Sequence, residues 1–188
     1  VHDYFHDQSY GQFDLTFDVF GPIEVSHANT YYGENNSNGD DKRVGELTTE
    51  ACRLANQKYD INWADYDGDK EVDQVYIIYA GYGEHAGAAE STIWPHESSL
   101  TLLRKYNDGE GPFKLGGYTI NTYAMSCELR GTTSNIMDGI GTACHEFSHC
   151  LGLPDFYDTQ YNGGFNMQHW DIMASGSSCG ATGHSESP

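Results

Sequence analysis

Fourteen residues near the end of the chain, HEFSHCLGLPDFYD at 145–158, constrain it more than any other feature. Two helical residues four positions apart stand about 40° apart around the axis and about 6 Å along it, so His145 and His149 can turn both imidazoles toward one ion. Glu146 falls on the flank of that face, where its carboxylate can take a proton from water at the ion without ligating it. Gly152 follows where a left-handed residue can end a helix, and Pro154 cannot continue one with a normal hydrogen bond. The chain must therefore turn back sharply, and Asp155 can close the ligand set. The pattern is that of a catalytic zinc site, with three protein ligands, an open position for water and a glutamate as general base. A carboxylate third ligand leaves the metal less electrophilic than a third imidazole would. Tyr157 and Asp158, just beyond, are candidates for contacts to the ligands or the substrate.

Downstream, HWDIMASG at 169–176 adds an independent feature, a turn in which Met173 is placed to lie beneath a metal site. A buried methionine alone would be ordinary core. Taken with the first stretch it is not ordinary.

At 188 residues the chain is long enough for one domain with a proper core and too short for two of ordinary size. It begins at Val1 without a charged segment followed by an apolar run, so the expectation is that any signal or pro-segment has been removed or left out. Nine Lys and Arg against 28 Asp and Glu give a formal charge of −19, which argues against nucleic acid or an anionic membrane surface as partner. No run is apolar and long enough for membrane insertion as a helix. The five cysteines, at 52, 127, 144, 150 and 179, form no C-x-x-C pair. Cys52 reads as a buried free thiol. Cys144 and Cys150 lie on roughly opposite sides of the metal-binding helix and cannot easily bridge each other, and Cys127 and Cys179 are the available distant partners.

Phe13, Leu15, Phe17 and Val19 alternate with polar residues as in a half-buried strand, broken at Gly21-Pro22 and resumed at Ile23 and Val25. Val44, Leu47, Ala51, Leu54, Ala55 and Tyr59 recur at helical spacing, which predicts an amphipathic helix over 42–59 with Asp40 or Asp41 as its cap. VDQVYIIYA at 72–80 predicts a central strand covered on both faces. After it, Pro95 in IWPH marks an edge strand or strand end, where an extended peptide could pair beside a cleft, and YTINTYAMSC at 118–127 predicts a further strand. His85 and His96 stand alone in the sequence and read as surface or supporting histidines.

DYDGDKEVD at 65–73 sets carboxylates at alternate positions around Gly68. Asp65, Asp67, Asp69 and Asp73 suit a hard cation such as calcium in a structural role, and a solvated acidic turn is the alternative. The EF-hand pattern fails here, with Lys70 where it needs Gly and Tyr76 where it needs Glu.

On HEFSHCLGLPDFYD and WDIMASGS, with support from DYDGDKEVDQVYIIYAGYGE and IWPH, the sequence resembles the immune-inhibitor-A group of bacterial zinc metallopeptidases, within the wider metzincin class. The resemblance implies zinc on His145, His149 and Asp155, Glu146 as general base and then acid, and Met173 as the methionine of a Met-turn. It implies an α+β, zincin-like fold, a twisted mixed sheet with a backing helix and an active-site helix. It also implies a secreted or cell-envelope endopeptidase, made as a precursor and acting on protein or peptide substrates. The expectation is a single catalytic domain over 1–188, truncated on its C-terminal side, with CGATGHSESP at 179–188 as a cut loop. The rival expectation is a calcium-stabilised adhesin or binding module whose metal site does no chemistry. Glu146 argues against it, since a structural site needs no base and closes its fourth position.

Overall fold

The computed structural model of the chain describes residues 1–66 and 68–180; Asp67 and residues 181–188, hence most of the expected C-terminal loop, lie outside the described residues. The helices are α1 (His2–Gln8), α2 (Asn29–Tyr32), α3 (Val44–Lys58), α4 (Leu100–Lys105) and α5 (Gly141–Cys150). The strands are β1 (Val75–Tyr82), β2 (His96–Ser99), β3 (Phe113–Leu115), β4 (Tyr118–Ile120) and β5 (Thr122–Leu129). β1, β5 and β2 form a mixed sheet in that order, β1 parallel and β2 antiparallel to β5, while β3 and β4 pair as a separate hairpin. The architecture is α+β, as expected, with α3 as the backing helix and α5 as the helix of the histidine motif.

Strand alternation divides the sheet into two unlike faces. Val75, Ile77 and Tyr79 of β1 point the same way as Tyr123, Met125 and Cys127 of β5, and these pack with Val44 and Leu47 of α3 into the main core. On the other face the middle of β5 offers Ala124 and Ser126, both buried, and these small side chains leave room for α5 to lie close. The far side of α5 is covered by the N-terminal segment. Phe147 meets Phe5 edge-on at 5.2 Å, and Cys144 joins them in a second cluster with Phe13 and Leu15 at its margin.

Three expectations about the strands need correction. Residues 10–25 form no strand: Phe13 and Leu15 are half-buried as the alternation predicts, but among the described residues the segment pairs with nothing in a ladder, and Val19 is 89% exposed. Its anchors are side chains, Tyr59 Oη donating to the Gly21 carbonyl and Tyr66 Oη to Asp18 Oδ2. The 72–80 run gives an edge strand and not the middle one. β1 starts at Val75, has Ile78 69% exposed, and leaves the centre to β5. The expected coverage of both faces also fails: Val75, Ile77 and Tyr79 pack into the core, while Ile78 and Ala80 on the other face are exposed. The predicted 118–127 strand is two, divided at Asn121 between β4 and β5.

Neither Asp40 nor Asp41 caps α3. Asp108, directly after α4 and only 4% exposed, accepts the Gly45 amide at 2.9 Å through Oδ2, so the cap comes from 63 residues away. Replacing Asp108 by Ala is expected to lower unfolding free energy by about 1–2 kcal/mol, with Asn recovering most of it because an amide oxygen still accepts. Denaturant melts of the three proteins check this, and equal losses for Ala and Asn would remove the cap from the account.

Asp41 is instead turned inward, its Oδ2 accepting the Trp94 amide at 3.0 Å. Burial, then the charges of Glu84 and Asp108, push its carboxyl up from 3.8 to about 7. The folded value exceeds the unfolded one, so this contribution to stability is fully present below about pH 4 and is lost as pH rises through about 7. Asp41→Asn is therefore expected to flatten the fall in Tm across that window. An unaltered slope would mean that other groups carry it.

Candidate active site

α5 is ten residues long, and its last turn is closed by Gly152, whose φ of +89° is the left-handed conformation predicted for it. The Gly152 and Leu153 amides donate to the His149 and Ser148 carbonyls at 2.8 and 3.2 Å, which turns the chain back under the helix. That reversal brings Asp155 beneath the two histidines. Asp155 Oδ1 lies 3.3 Å from His145 Nε2 and 3.4 Å from His149 Nε2.

Each imidazole is held by its other nitrogen. His145 Nδ1 bonds the Ile172 carbonyl at 2.7 Å and His149 Nδ1 bonds the Leu153 carbonyl at 2.8 Å. A carbonyl only accepts, so both Nδ1 atoms carry protons, and in the neutral rings both Nε2 atoms present lone pairs. Burial keeps His145 below the usual histidine range, which favours that neutral form. The rings stand nearly perpendicular, 89° apart with centroids 4.8 Å from one another.

These residues fit a divalent metal. Asp155 Oδ1 is buried and, among the described residues, accepts no hydrogen bond, an arrangement that costs free energy unless a cation sits against it. Two nitrogen lone pairs and one carboxylate oxygen aimed at a common point are donors suited to zinc. His145, His149 and Asp155 thus come together as the sequence predicts.

Glu146 is buried beside them, its carboxylate oxygen within 4.8 Å of the two imidazole nitrogens. Burial first, then the nearby charges of Asp155 and Glu97, push it up to about 8. A carboxyl so placed can hold and return a proton near neutral pH.

The segment around Met173 is bonded both to the helix and to the chain reversal after it. Met173 is fully buried; its amide donates to Asp171 Oδ1 at 2.9 Å, and its carbonyl accepts the Phe156 amide at 2.7 Å. The adjacent Ile172 carbonyl is the one that orients His145. The turn therefore ties one histidine and the segment that carries Asp155 to a single support.

Glu97 carries no motif of its own and was not legible in the sequence. It sits on β2 opposite Ala124, on the sheet face that carries α5, half-buried and raised by burial. The only local hint is that it directly follows IWPH. Tyr157 lies near Asp155, and burial followed by that charge pushes its phenol up to about 12. Asp158 belongs elsewhere, since its carboxylate accepts the Gln160, Asn162 and Gly164 amides and organises the loop after the site.

Of the acidic turn, Asp65 Oδ1 accepts from Asn62, Asp69 Oδ1 accepts the Glu71 amide, and the Asp73 amide donates to the Tyr66 carbonyl. Asp67 lies outside the described residues. All five cysteines are free thiols. Cys144 packs in the aromatic cluster and Cys150 Sγ donates to the Glu146 carbonyl at 3.3 Å, so neither is offered to the histidine centre.

PrtV, a pre-pro-metalloprotease of Vibrio cholerae serotype O1, is 30% identical over 203 residues, spanning 97% of this chain and 22% of the relative. Immune inhibitor A of Bacillus thuringiensis subsp. alesti is 28% identical over 205 residues, spanning 94% of this chain and 28% of the relative. The chain therefore covers under a third of the length of these curated relatives. All of it, residues 1–188, matches the catalytic domain of the immune inhibitor A peptidase family M6, and the chain belongs to that family.

Proposed function

We propose that this chain is the catalytic domain of a zinc-dependent endopeptidase, with His145, His149 and Asp155 as the metal ligands and Glu146 as the catalytic residue. One observation carries the reading. Two imidazoles are locked by backbone carbonyls so that their free nitrogens face one buried, unpartnered Asp155 oxygen, with a proton-accepting carboxyl beside them.

Zinc held there supplies Lewis acidity, polarising a scissile carbonyl and making water more acidic. Glu146 takes the proton from the attacking water and returns it to the departing amine nitrogen, so one carboxyl serves as base and then as acid. Met173 and Ile172 act at one remove, keeping His145 and the 153–156 segment in register. β2 is an edge strand on the sheet beside α5, and a peptide lying extended along it would pass Glu97 and reach Glu146. A non-catalytic metal module leaves the buried Glu146 without a task.

Secretion or attachment to the cell envelope as a precursor belongs to the same proposal, supported by the name of the Vibrio relative, a pre-pro-metalloprotease. Among the described residues no helix is long and apolar enough to cross a membrane. The proposal extends to a single metzincin-type domain over the whole chain and to calcium on Asp65, Asp67, Asp69 and Asp73.

Glu146→Gln in the whole protein is expected to keep its zinc and to cut an unfolded protein substrate about 10²- to 10⁴-fold more slowly. Metal content measured with the rate separates loss of the base from loss of the ion. Undiminished cleavage by that variant, or a zinc-free wild type, would overturn the reading. A calcium-selective chelator is expected to lower the Tm of the zinc-loaded protein, and Asp69→Asn with Asp73→Asn to abolish that dependence. A melt indifferent to chelator returns 65–73 to a solvated turn.

A further inference from the structure

His85 and His96 differ from the isolated histidines that the sequence suggests. His96 is bound at both nitrogens, to the Trp94 carbonyl and to Tyr123 Oη. His85 belongs to a second constellation, away from the histidine centre. It lies in the turn Glu84–Ala86 directly after β1, and its ring edge packs against Trp94. Cys127 comes from the C-terminal half of β5. Asp138 comes from the link between β5 and α5, which folds back so that the Asp138 amide donates to the Glu128 carbonyl at 2.8 Å. Ligand atoms of His85, Cys127 and Asp138 all lie within 4.8 Å of one another.

The spacing suits one ion. Donors about 2.0–2.3 Å from a tetrahedral zinc stand about 3.3–3.8 Å from one another. Cys127 Sγ is 3.8 Å from Asp138 Oδ2 and 3.4 Å from the Leu129 carbonyl, which offers a fourth donor. The chain also makes room for the imidazole. A Cβ on Gly83 would stand 2.6 Å from His85 Nδ1 and 2.8 Å from Tyr79 Oη, so a larger residue there would displace the ring.

A cysteine, histidine and aspartate together could instead suggest a nucleophile with its base. The environment of Cys127 argues against it. The thiol is buried and, through burial and then the charge of Asp138, is pushed up to about 12, so it stays protonated at neutral pH unless a cation takes the proton's place. Sulfur also selects the ion's class, since thiolate prefers zinc-like metals to calcium or magnesium.

We propose that His85, Cys127 and Asp138 bind a second, structural zinc-class ion that clips the ends of β1 and β5 to the segment leading into α5. On binding, the Cys127 S–H bond breaks, its proton passes to solvent, and the sulfur lone pair forms the bond to the metal. Asp138 is three residues before Gly141, so the ion would fix the approach of the very helix that carries His145 and His149. The proposal does not depend on peptidase activity.

Cobalt(II) in place of zinc, in the whole protein, tests it. A thiolate-to-cobalt charge-transfer band in the near ultraviolet requires a sulfur ligand, and His145, His149 and Asp155 provide none. The wild type is expected to show that band and Cys127→Ser to lose it while keeping the visible cobalt bands of the other centre. Zinc content should fall by about one ion per chain in the same variant and stay unchanged in Glu146→Gln. Should Cys127→Ser fail to fold, His85→Gln, at a half-buried position, is expected to weaken the band at limiting cobalt. A cobalt-loaded wild type without the band, or a band that persists undiminished in the folded variants, would overturn the proposal.

Discussion

Two hydrogen bonds from imidazole to main chain decide what the site can be. With His145 Nδ1 on the Ile172 carbonyl and His149 Nδ1 on the Leu153 carbonyl, the lone pairs on Nε2 have one direction to face. Rotating either ring would break its bond to the main chain and turn the Nε2 lone pair away from Asp155. Neither carbonyl belongs to α5. One sits in the turn that returns beneath the helix and the other beside Met173, so the helix supplies the two imidazoles and the chain from Leu153 to Ile172 supplies their orientation. The Phe156 amide on the Met173 carbonyl then links these two supports to each other.

The same constraint explains why α5 is covered on both sides. A centre with a buried carboxyl at Glu146 and an unpartnered oxygen on Asp155 opposes folding, since both groups lose hydration and their charges repel. The cost is offset by the packing around it and by any cation the donors hold. Ala124 and Ser126 admit the helix to the sheet, and Phe5, Cys144 and Phe147 seal its other side with apolar contact. The short helix has little stability of its own, so its position is set almost wholly by these two surfaces.

What the sequence made legible follows the range over which each signal acts. The histidine spacing, the Gly152 stop and the Asp155 reversal act within eleven residues, and the structure assembles them as predicted. The periodicity of α3 is equally local and its boundaries fall within two residues of the expected 42–59. Signals that depend on a distant partner were hidden. Alternation over 10–25 correctly marks Phe13 and Leu15 as inward but cannot reveal that no strand pairs with them. The run at 72–80 marks a strand but reports neither its place in the sheet nor the exposure of its second face. The Asp108 cap, Glu97 opposite Ala124, and the meeting of His85 with Cys127 and Asp138 join segments many residues apart, with no period or motif to announce them.

β5 is where those hidden connections converge. As the middle strand it fixes β1 and β2 on its two edges, and its alternating side chains assign separate tasks to its two faces. Tyr123, Met125 and Cys127 bind the sheet to the backing helix side, and Ala124 and Ser126 receive α5. Beyond Leu129 the chain doubles back, Leu129 bridging Met137, before it enters α5 at Gly141. The helix therefore reaches the sheet through a short, folded-back link and cannot slide independently of β5. A shift of that strand by one residue would exchange its two faces, setting tyrosine and methionine against α5 and driving the helix outward. Register in β5 thus governs the distance between Glu97 and Glu146, although neither residue lies on that strand.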